Sequence, residues 1–422
     1  MSKIKILVLP SDRTGVGKFR SIEPHIFLQN KYPEDFHVDI DFEPKMDDIS
    51  YWTKYDMVCF HRSLNPDYDK SNTLIQVLNS LGIITVMDLD DYWLPTKEHP
   101  AYHLVLQHKI HEKILANIKV AKYVVTTTSI FANEIKKYNK NVFVLPNAIN
   151  PNEPQFMEPT IPSDKLRFGW LGGSSHLHDL GLMRGFTDAI GQELRDKSQI
   201  FICGFDTRGT MTEINAQTGE QKQRDITPQE TVWARYEEIF TKNYEFTTPE
   251  YKNYLMKFKQ EKWNGSEQYY NRVWTEPVTS YAKNYAKFDV SLAPIMNHMF
   301  NRVKSQLKVI EAGFYKKTIV ASNIGPYTID LKHSLQNGNF VDGNAILVDE
   351  KRKLENQILF DSYLKKYKCS FQKQTQFFFE SSLQNKFVEF FPVDFEKNVL
   401  KNSFWVVKLE LFVVVVPVPA IE

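Results

Sequence analysis

Short runs of aliphatic and β-branched residues punctuate the chain, separated by longer stretches with apolar positions at helical spacing. Ile4–Leu9, Phe36–Phe42, Met57–His61, Ile83–Asp88, Tyr123–Thr127 and Val142–Leu145 are the first six runs. Such apolar runs, joined by crossovers too long for hairpins, predict parallel strands covered on both faces and a Rossmann-like layer over residues 1–149. Asn150 to Pro162 then carries four prolines and little periodicity. Neither a helix nor a central strand suits it, so 150–164 is expected to be a hinge linker. The alternation restarts at Leu166–Leu171 and continues through Ile200–Cys203, Phe288–Ala293, Thr318–Ala321 and Ala345–Val348, predicting a second Rossmann-like domain over 165–352. The fold class expected is α/β, two Rossmann-like domains with a cleft between the carboxyl ends of their sheets, where open α/β folds bind ligands.

Two segments break the pattern. Residues 206–270 begin polar and Gln/Thr-rich, then turn aromatic at helical spacing (Trp233, Tyr236, Phe240, then Tyr251, Tyr254, Phe258). This is expected to be a helical insertion packed on the second domain. The tail, 353–422, includes Val413 to Val416, an uncharged run that is an aggregation hazard unless it is buried as a strand. Its character is atypical enough to raise an altered reading frame as one explanation.

Composition narrows the function classes. Basic and acidic residues number 52 and 51, so a globally basic nucleic-acid binder has no support, and 24% charged residues exclude a disordered polyelectrolyte. Aromatic residues at 14% suit large cores or ring-stacking surfaces. Cys59, Cys203 and Cys369 lie too far apart for a disulfide framework or a cysteine zinc knuckle. The first apolar run meets Pro10 after six residues and reads as a strand rather than a signal peptide. No run of about 18 apolar residues occurs, so no spanning helix is expected. A cytoplasmic location follows, with peripheral attachment to the inner face of the membrane left open by the basic helix Tyr102 to Val120.

The chemistry concentrates after the strand Phe288–Pro294. In Phe300-Asn-Arg-Val-Lys304-Ser-Gln-Leu-Lys-Val-Ile-Glu311, Leu307, Ile310 and Phe314 form a buried stripe while Lys304 and Glu311 share another face. Seven residues rise about 10 Å. Lys304 at a helix start can hold a diphosphate, and Glu311 can accept hydrogen bonds from ribose hydroxyls. In the first domain, Thr14-Gly15-Val-Gly17-Lys-Phe-Arg20 forms a glycine-rich turn that lets backbone approach a phosphate or sugar. Gly15 and Gly17, with Asp39 or Asp41 beyond, also suggest a dinucleotide fingerprint, but its third glycine is replaced by Arg20, which could instead meet phosphates or a charged acceptor across the cleft. Asp88 and Asp90 have metal-binding Asp-x-Asp spacing, yet a lysine, a helix dipole and glycine loops can neutralise phosphates without metal; none is expected. His99 and His103 follow the fourth strand and suit hydrogen bonding to a sugar or proton transfer near neutral pH.

Ser291-Leu-Ala-Pro, Phe300-Asn301, Lys304-Ser305, Lys308, Glu311-Ala-Gly and Ile319 to Tyr327 together resemble the donor-binding half of GT-B glycosyltransferases related to family 4. The similarity extends to Phe168-Gly-Trp-Leu-Gly172-Gly173-Ser174 and to Val144-Leu-Pro-Asn147. The resemblance implies a retaining transferase that moves a sugar from a nucleoside-diphosphate sugar to a glycan or lipid-linked hydroxyl acceptor, with a role in cell-surface polysaccharide synthesis. It implies that Glu311 binds the ribose, that Lys304 holds the diphosphate, and that Gly172, Gly173 and Ser174 lie against the phosphates and sugar. Asn301, Arg302 and Ser305 complete the donor set, a first-domain histidine would act, and the nucleotide sugar is a co-substrate rather than a cofactor. Many relatives carry Glu-x7-Glu; here Val303 stands at the first glutamate, where Asn301 or Lys304 could substitute in part. Two other readings remain: a carbohydrate-binding or inactive scaffold protein, and a dinucleotide-dependent oxidoreductase.

Overall fold

The computed structural model describes residues 3–150, 152–186, 192–206, 209–214, 221–227, 230–240, 269–336, 339–340, 343–349, 404–408 and 413–417. They form two compact units: one holds the residues up to Asn150 with His298–Ile310, 404–408 and 413–417, the other those from 152 to Asn297 and from Glu311 to 349.

The first unit is a six-stranded sheet of β1 (Ile4–Leu9), β2 (Phe36–Ile40), β3 (Met57–His61), β4 (Ile84–Leu89), β5 (Tyr123–Thr126) and β6 (Val142–Val144). Their order is β2-β1-β3-β4-β5-β6, every pair parallel. In β1, Leu7 and Leu9 face one layer with Val58, Phe60, Met87, Ile114 and Phe131, whereas Ile6 and Val8 face the other with Leu28, Phe36 and Met57. The period of two along each strand thus fills two cores at once, which is why the runs read as continuously apolar. Val303 joins the larger core with no exposed surface. A glutamate in place of Val303 would put a carboxylate among aliphatic and aromatic side chains.

The second unit contains β7 (Leu166–Leu171), β8 (Ser198–Phe205), the hairpin β9 (Thr210–Ile214) and β10 (Gln221–Asp225), β11 (Tyr270–Trp274), β12 (Val290–Ala293) and β13 (Thr318–Ser322). A short pair, β14 (Leu335–Gln336) and β15 (Asn339–Phe340), precedes β16 (Ala345–Val348). The main sheet runs β11-β8-β7-β12-β13-β16, all parallel, the strand order of a dinucleotide-type Rossmann sheet. Gly169 lets β7 lie under Phe288, because a Cβ there would stand 2.0 Å from the ring. The aromatic helix expected in the insertion is Val232–Phe240, whose Trp233, Tyr236, Ile239 and Phe240 pack on Phe168, Trp170 and Phe205. Tyr251, Tyr254 and Phe258 lie outside the described residues. In the proline-rich segment, Gln155 and Phe156 are buried, and Gln155 is bound by Ala282 N–H, the Val278 carbonyl and the Tyr315 hydroxyl. Of the tail, Phe404–Lys408 and Val413–Pro417 pair as antiparallel strands, so the four valines are in strand conformation; the rest of 353–422 lies outside the described residues. Among the described residues no helix is long and apolar enough to cross a membrane.

Lys317, 4% exposed just before β13, donates to Thr160 Oγ1 at 2.6 Å. Burial, with Asp289 opposing it, lowers its amine to about 8 from the ordinary 10.5. Below pH 8 the folded protein buries a charge; as pH rises from 8 towards 10.5 the folded amine is neutral while the unfolded one is still protonated, so stability from this group rises with pH. Lys317→Met should abolish this gain of about 2–3 kcal/mol between pH 7 and 10, read as the difference between wild-type and variant in urea unfolding at the two pH values.

Candidate functional site

In an open α/β sheet, ligands bind where the strand order reverses, beyond the carboxyl ends of the strands. In the second unit this point lies between β7 and β12, so the segments after Leu171 and Ala293 border it. Gly172 and Gly204 are glycines for packing reasons. A Cβ on Gly172 would sit 2.5 Å from the Trp170 ring, and one on Gly204, whose φ is +115°, would sit 2.4 Å from the Gly172 carbonyl oxygen. A Cβ on Gly173, by contrast, meets nothing within 4 Å. Its carbonyl accepts from the Tyr236 hydroxyl at 3.0 Å, and that hydroxyl accepts from His176 N–H at 2.8 Å. Burial raises the Tyr236 phenol, keeping it a donor. Asp179, nearly buried, joins both sides of the crevice: it accepts from His176 Nδ1 and from Met296 N–H, each at 2.8 Å. The result is a braced loop with one open glycine and the exposed Ser174 at its tip.

Glu311 lies in the helix Leu307–Phe314 and is 2% exposed. Its oxygens accept from the hydroxyls of Tyr281 and Tyr285, the latter at 3.0 Å. Burial and then the Glu311 charge push the Tyr285 phenol well up, so it stays protonated and donating. A ribose hydroxyl reaching Glu311 would share a carboxylate already held by two phenols.

Lys304 lies outside the helix start expected for it, in the link between helices Met299–Arg302 and Leu307–Phe314, and belongs to the first unit. Its Nζ is 3.9 Å from Asp91 Oδ1 and 4.8 Å from the Phe300 ring centre. Ser305 Oγ accepts from Asn147 Nδ2 at 3.0 Å. Asn301 is buried with its Nδ2 3.1 Å from His298 Nε2, and Arg302 is exposed. His99 accepts from Ala101 N–H at 3.1 Å, with its ring 5.2 Å from that of Phe300. His103 is exposed, in edge contact with Tyr102. The structure therefore gathers Lys304, Ser305, His99 and Asn301 about one stretch of the first unit, and places Gly172, Gly173, Ser174 and Glu311 in the second.

The Gly15–Gly17 turn holds an internal anion. Asp12 Oδ1 accepts from Thr14 N–H, Thr14 Oγ1 and Gly17 N–H at 2.7, 2.8 and 3.3 Å. Partial burial opposes ionisation of Asp12, but these bonds and one from Ser11 hold its carboxyl below the ordinary value. Gly17 must be glycine, since a Cβ would overlap the Asp12 carbonyl oxygen at 1.7 Å; Gly15 meets nothing within 4 Å. Two of the turn's N–H groups, those of Thr14 and Gly17, are thus taken by Asp12. Gly17–Ile22 is a π-helical turn, a form frequent at functional sites. It carries the buried Arg20, which binds both oxygens of Asp88, the Leu145 carbonyl and Asn147 Oδ1. That guanidinium is committed to the chain itself rather than to a phosphate.

Sequence reasoning missed the pairing of His61 with Asp90 (2.7 Å) and of Arg62 with the same carboxylate (3.0 Å). Burial opposes ionisation of Asp90, but the two neighbours hold its carboxyl far below the ordinary range. A histidine closing an apolar strand was the available signal. No group of three or more metal-ligating side chains occurs among the described residues, and Asp88 and Asp90 are engaged by arginine and histidine.

Among solved structures, the chain is similar to a UDP-forming α,α-trehalose-phosphate synthase from Burkholderia xenovorans at 12% identity and a TM-score of 0.50, covering 91% of this chain and 96% of that one. The likeness shows the fold. It is the GT-B class, two Rossmann-like domains, as the sequence led one to expect. A sucrose-phosphate synthase from Thermosynechococcus elongatus is similar at 11% identity and TM-score 0.49 (90% and 95% covered). HepE of Anabaena, solved with UDP and glucose, is similar at 12% and 0.46 (90% and 94%). No protein-family model matches the chain, and no curated protein sequence matches it.

Proposed function

We propose that this chain is a glycosyltransferase related to family 4 that moves a sugar from a nucleoside-diphosphate sugar to a hydroxyl of a glycan or lipid-linked acceptor, with retention of configuration and without a metal. The observation that carries the reading is the braced loop Gly172–Ser174 at the β7–β12 reversal, where Gly173 faces open space and a phosphate can approach the backbone. The family resemblance of that loop and of the Lys304–Glu311 segment supports it. In this reading Gly172, Gly173 and Ser174 bind phosphates and sugar, Glu311 the ribose, and Lys304, with Arg302, Asn301 and Ser305 nearby, the leaving diphosphate. Preorganised donors stabilise the charge that develops there. His99 or His103 contacts the sugar being moved. A role in cell-surface polysaccharide synthesis at the inner face of the membrane fits exposed Leu104 and Leu106 in the helix Tyr102–Gln107, which buries no residue.

Thermal denaturation with UDP, GDP and ADP tests the reading. A nucleotide at about 100 times its Kd adds about 2.7 kcal/mol, a rise of several degrees in Tm. UDP is the first nucleotide to try because the trehalose-phosphate synthase of the same fold is UDP-forming. Glu311→Gln keeps one oxygen for the tyrosines and should lose most of the stabilisation by nucleotide while melting near the wild type alone. No shift with any nucleoside diphosphate would defeat the reading.

A further inference from the structure

Arg62 follows β3 in a conformation that favours glycine. Its φ is +61°, and Ser63 N–H donates to the His61 carbonyl across it, a γ-turn of the strained kind. The turn is over-determined. Arg62 N–H donates to the Asp88 carbonyl at 3.1 Å, and the Arg62 carbonyl accepts from Asn117 Nδ2 at 3.1 Å. Asn117 is itself fully buried and bound to Asn72. This lies at the carboxyl edge of the first sheet, where the order β2-β1-β3 reverses. Strain kept in place at such a position specifies where its side chains stand.

Those side chains are incompletely satisfied. His61 is 7% exposed and its Nδ1 has no hydrogen-bond partner; Arg62 Nε is also out of solvent and unpartnered. Asp90 takes His61 Nε2 and Arg62 Nη2. Asp91 is held differently. Its carboxylate lies 3.6 Å from Arg62 Nη2 and 3.9 Å from Lys304 Nζ, beyond hydrogen-bonding distance of both, and it makes no hydrogen bond among the described residues. One loosely held carboxylate thus stands between two cations supplied by separate segments.

We propose that Arg62 and Lys304 form a phosphoryl-binding pair, with Asp91 as the resident counter-ion that an incoming phosphoryl group displaces. A tetrahedral phosphoryl group has three oxygens and up to two charges, and can bond both cations where one planar carboxylate reaches neither. Asp90, itself bound by His61, holds the guanidinium in place. The assignment deepens the proposed transfer and rests on that reading for the source of the phosphoryl group, which is the donor diphosphate or a phosphorylated acceptor.

The test is calorimetric titration of the full chain and of Asp91→Asn and Arg62→Gln with inorganic pyrophosphate, UDP and glucose 6-phosphate. Asp91→Asn should bind at least one of them about threefold or more tighter, and Arg62→Gln about tenfold weaker, with both differences shrinking in 0.5 M salt, roughly a Debye length of a few ångströms. Tightening with pyrophosphate and UDP assigns the donor; tightening with glucose 6-phosphate alone assigns a phosphorylated acceptor. Unchanged or weaker binding of all three by Asp91→Asn overturns the proposal, and because that substitution breaks no hydrogen bond it remains informative if Arg62→Gln fails to fold. If pyrophosphate responds but UDP does not bind the wild type, the pair stands and the nucleotide reading falls. If UDP binds the wild type and ignores Asp91→Asn, as do the other two ligands, the pair falls and the nucleotide reading stands.

Discussion

Gly173→Val is expected to weaken nucleoside diphosphate binding at least about a hundredfold while leaving the melting temperature of the unliganded protein within a few degrees of the wild type. The fold should tolerate the change because a Cβ at Gly173 meets nothing within 4 Å and its φ is not in the left-handed region. The ligand should not. A branched side chain would stand where a phosphate approaches the loop backbone, and losing two charge-assisted hydrogen bonds at about 1.5 kcal/mol or more each amounts to about a hundredfold. Gly172→Ala separates the two effects, since its methyl group would press on Trp170 at 2.5 Å and strain the fold itself. Calorimetry with the preferred nucleotide and a melting curve decide the matter: unchanged affinity in folded Gly173→Val removes this loop from the site.

The two sheets were legible because their strands are apolar along both faces, and the glycines after Leu171 because strand, turn and family resemblance coincide. The partners of the charged residues were not. Lys304 and Glu311 are seven positions apart in a stretch that reads as one amphipathic helix, but the helix begins at Leu307, and Val303 anchors the preceding link in the first unit's core. Local periodicity carries no information about which core a single valine enters. In the Gly15–Gly17 turn the approach of Asp12 was not legible, because it depends on backbone geometry rather than spacing. Likewise, His61 and Asp90 are 29 residues apart and meet only because β3 and β4 are neighbours in parallel register. Long-range pairing of polar groups is set by strand order, which the hydrophobic pattern leaves open.

Arg272→Met is expected to destabilise the protein by about 3–5 kcal/mol, more than any other single change considered. Arg272 and Glu237 are both essentially without solvent contact; Arg272 Nη2 donates to Glu237 Oε2 at 2.6 Å, Tyr270 donates to Oε1 at 3.0 Å, and the guanidinium stacks 3.9 Å from the Phe205 ring centre. Burial raises the Glu237 carboxyl while Arg272 opposes the rise. With the arginine gone only the Tyr270 hydrogen bond opposes the burial, so Glu237 must either stay ionised without a counter-charge or take up a proton. Its folded-state value, already above its unfolded one, then rises further, which makes the defect smallest at acidic pH and larger as pH rises through the folded value. The double variant Glu237→Leu with Arg272→Met removes both charges and should recover most of the loss, because a buried ion pair is replaced by apolar contact at little cost. The consequence reaches the loop at Gly173. Glu237 is on the helix Val232–Phe240 one residue from Tyr236, whose hydroxyl braces the Gly173 carbonyl and His176 N–H. Urea unfolding at pH 5 and 8 should therefore show the single variant improving on acidification and the double variant indifferent to it. Equal stability of single and double variants at pH 8 would mean that the pair does not stabilise this helix as argued.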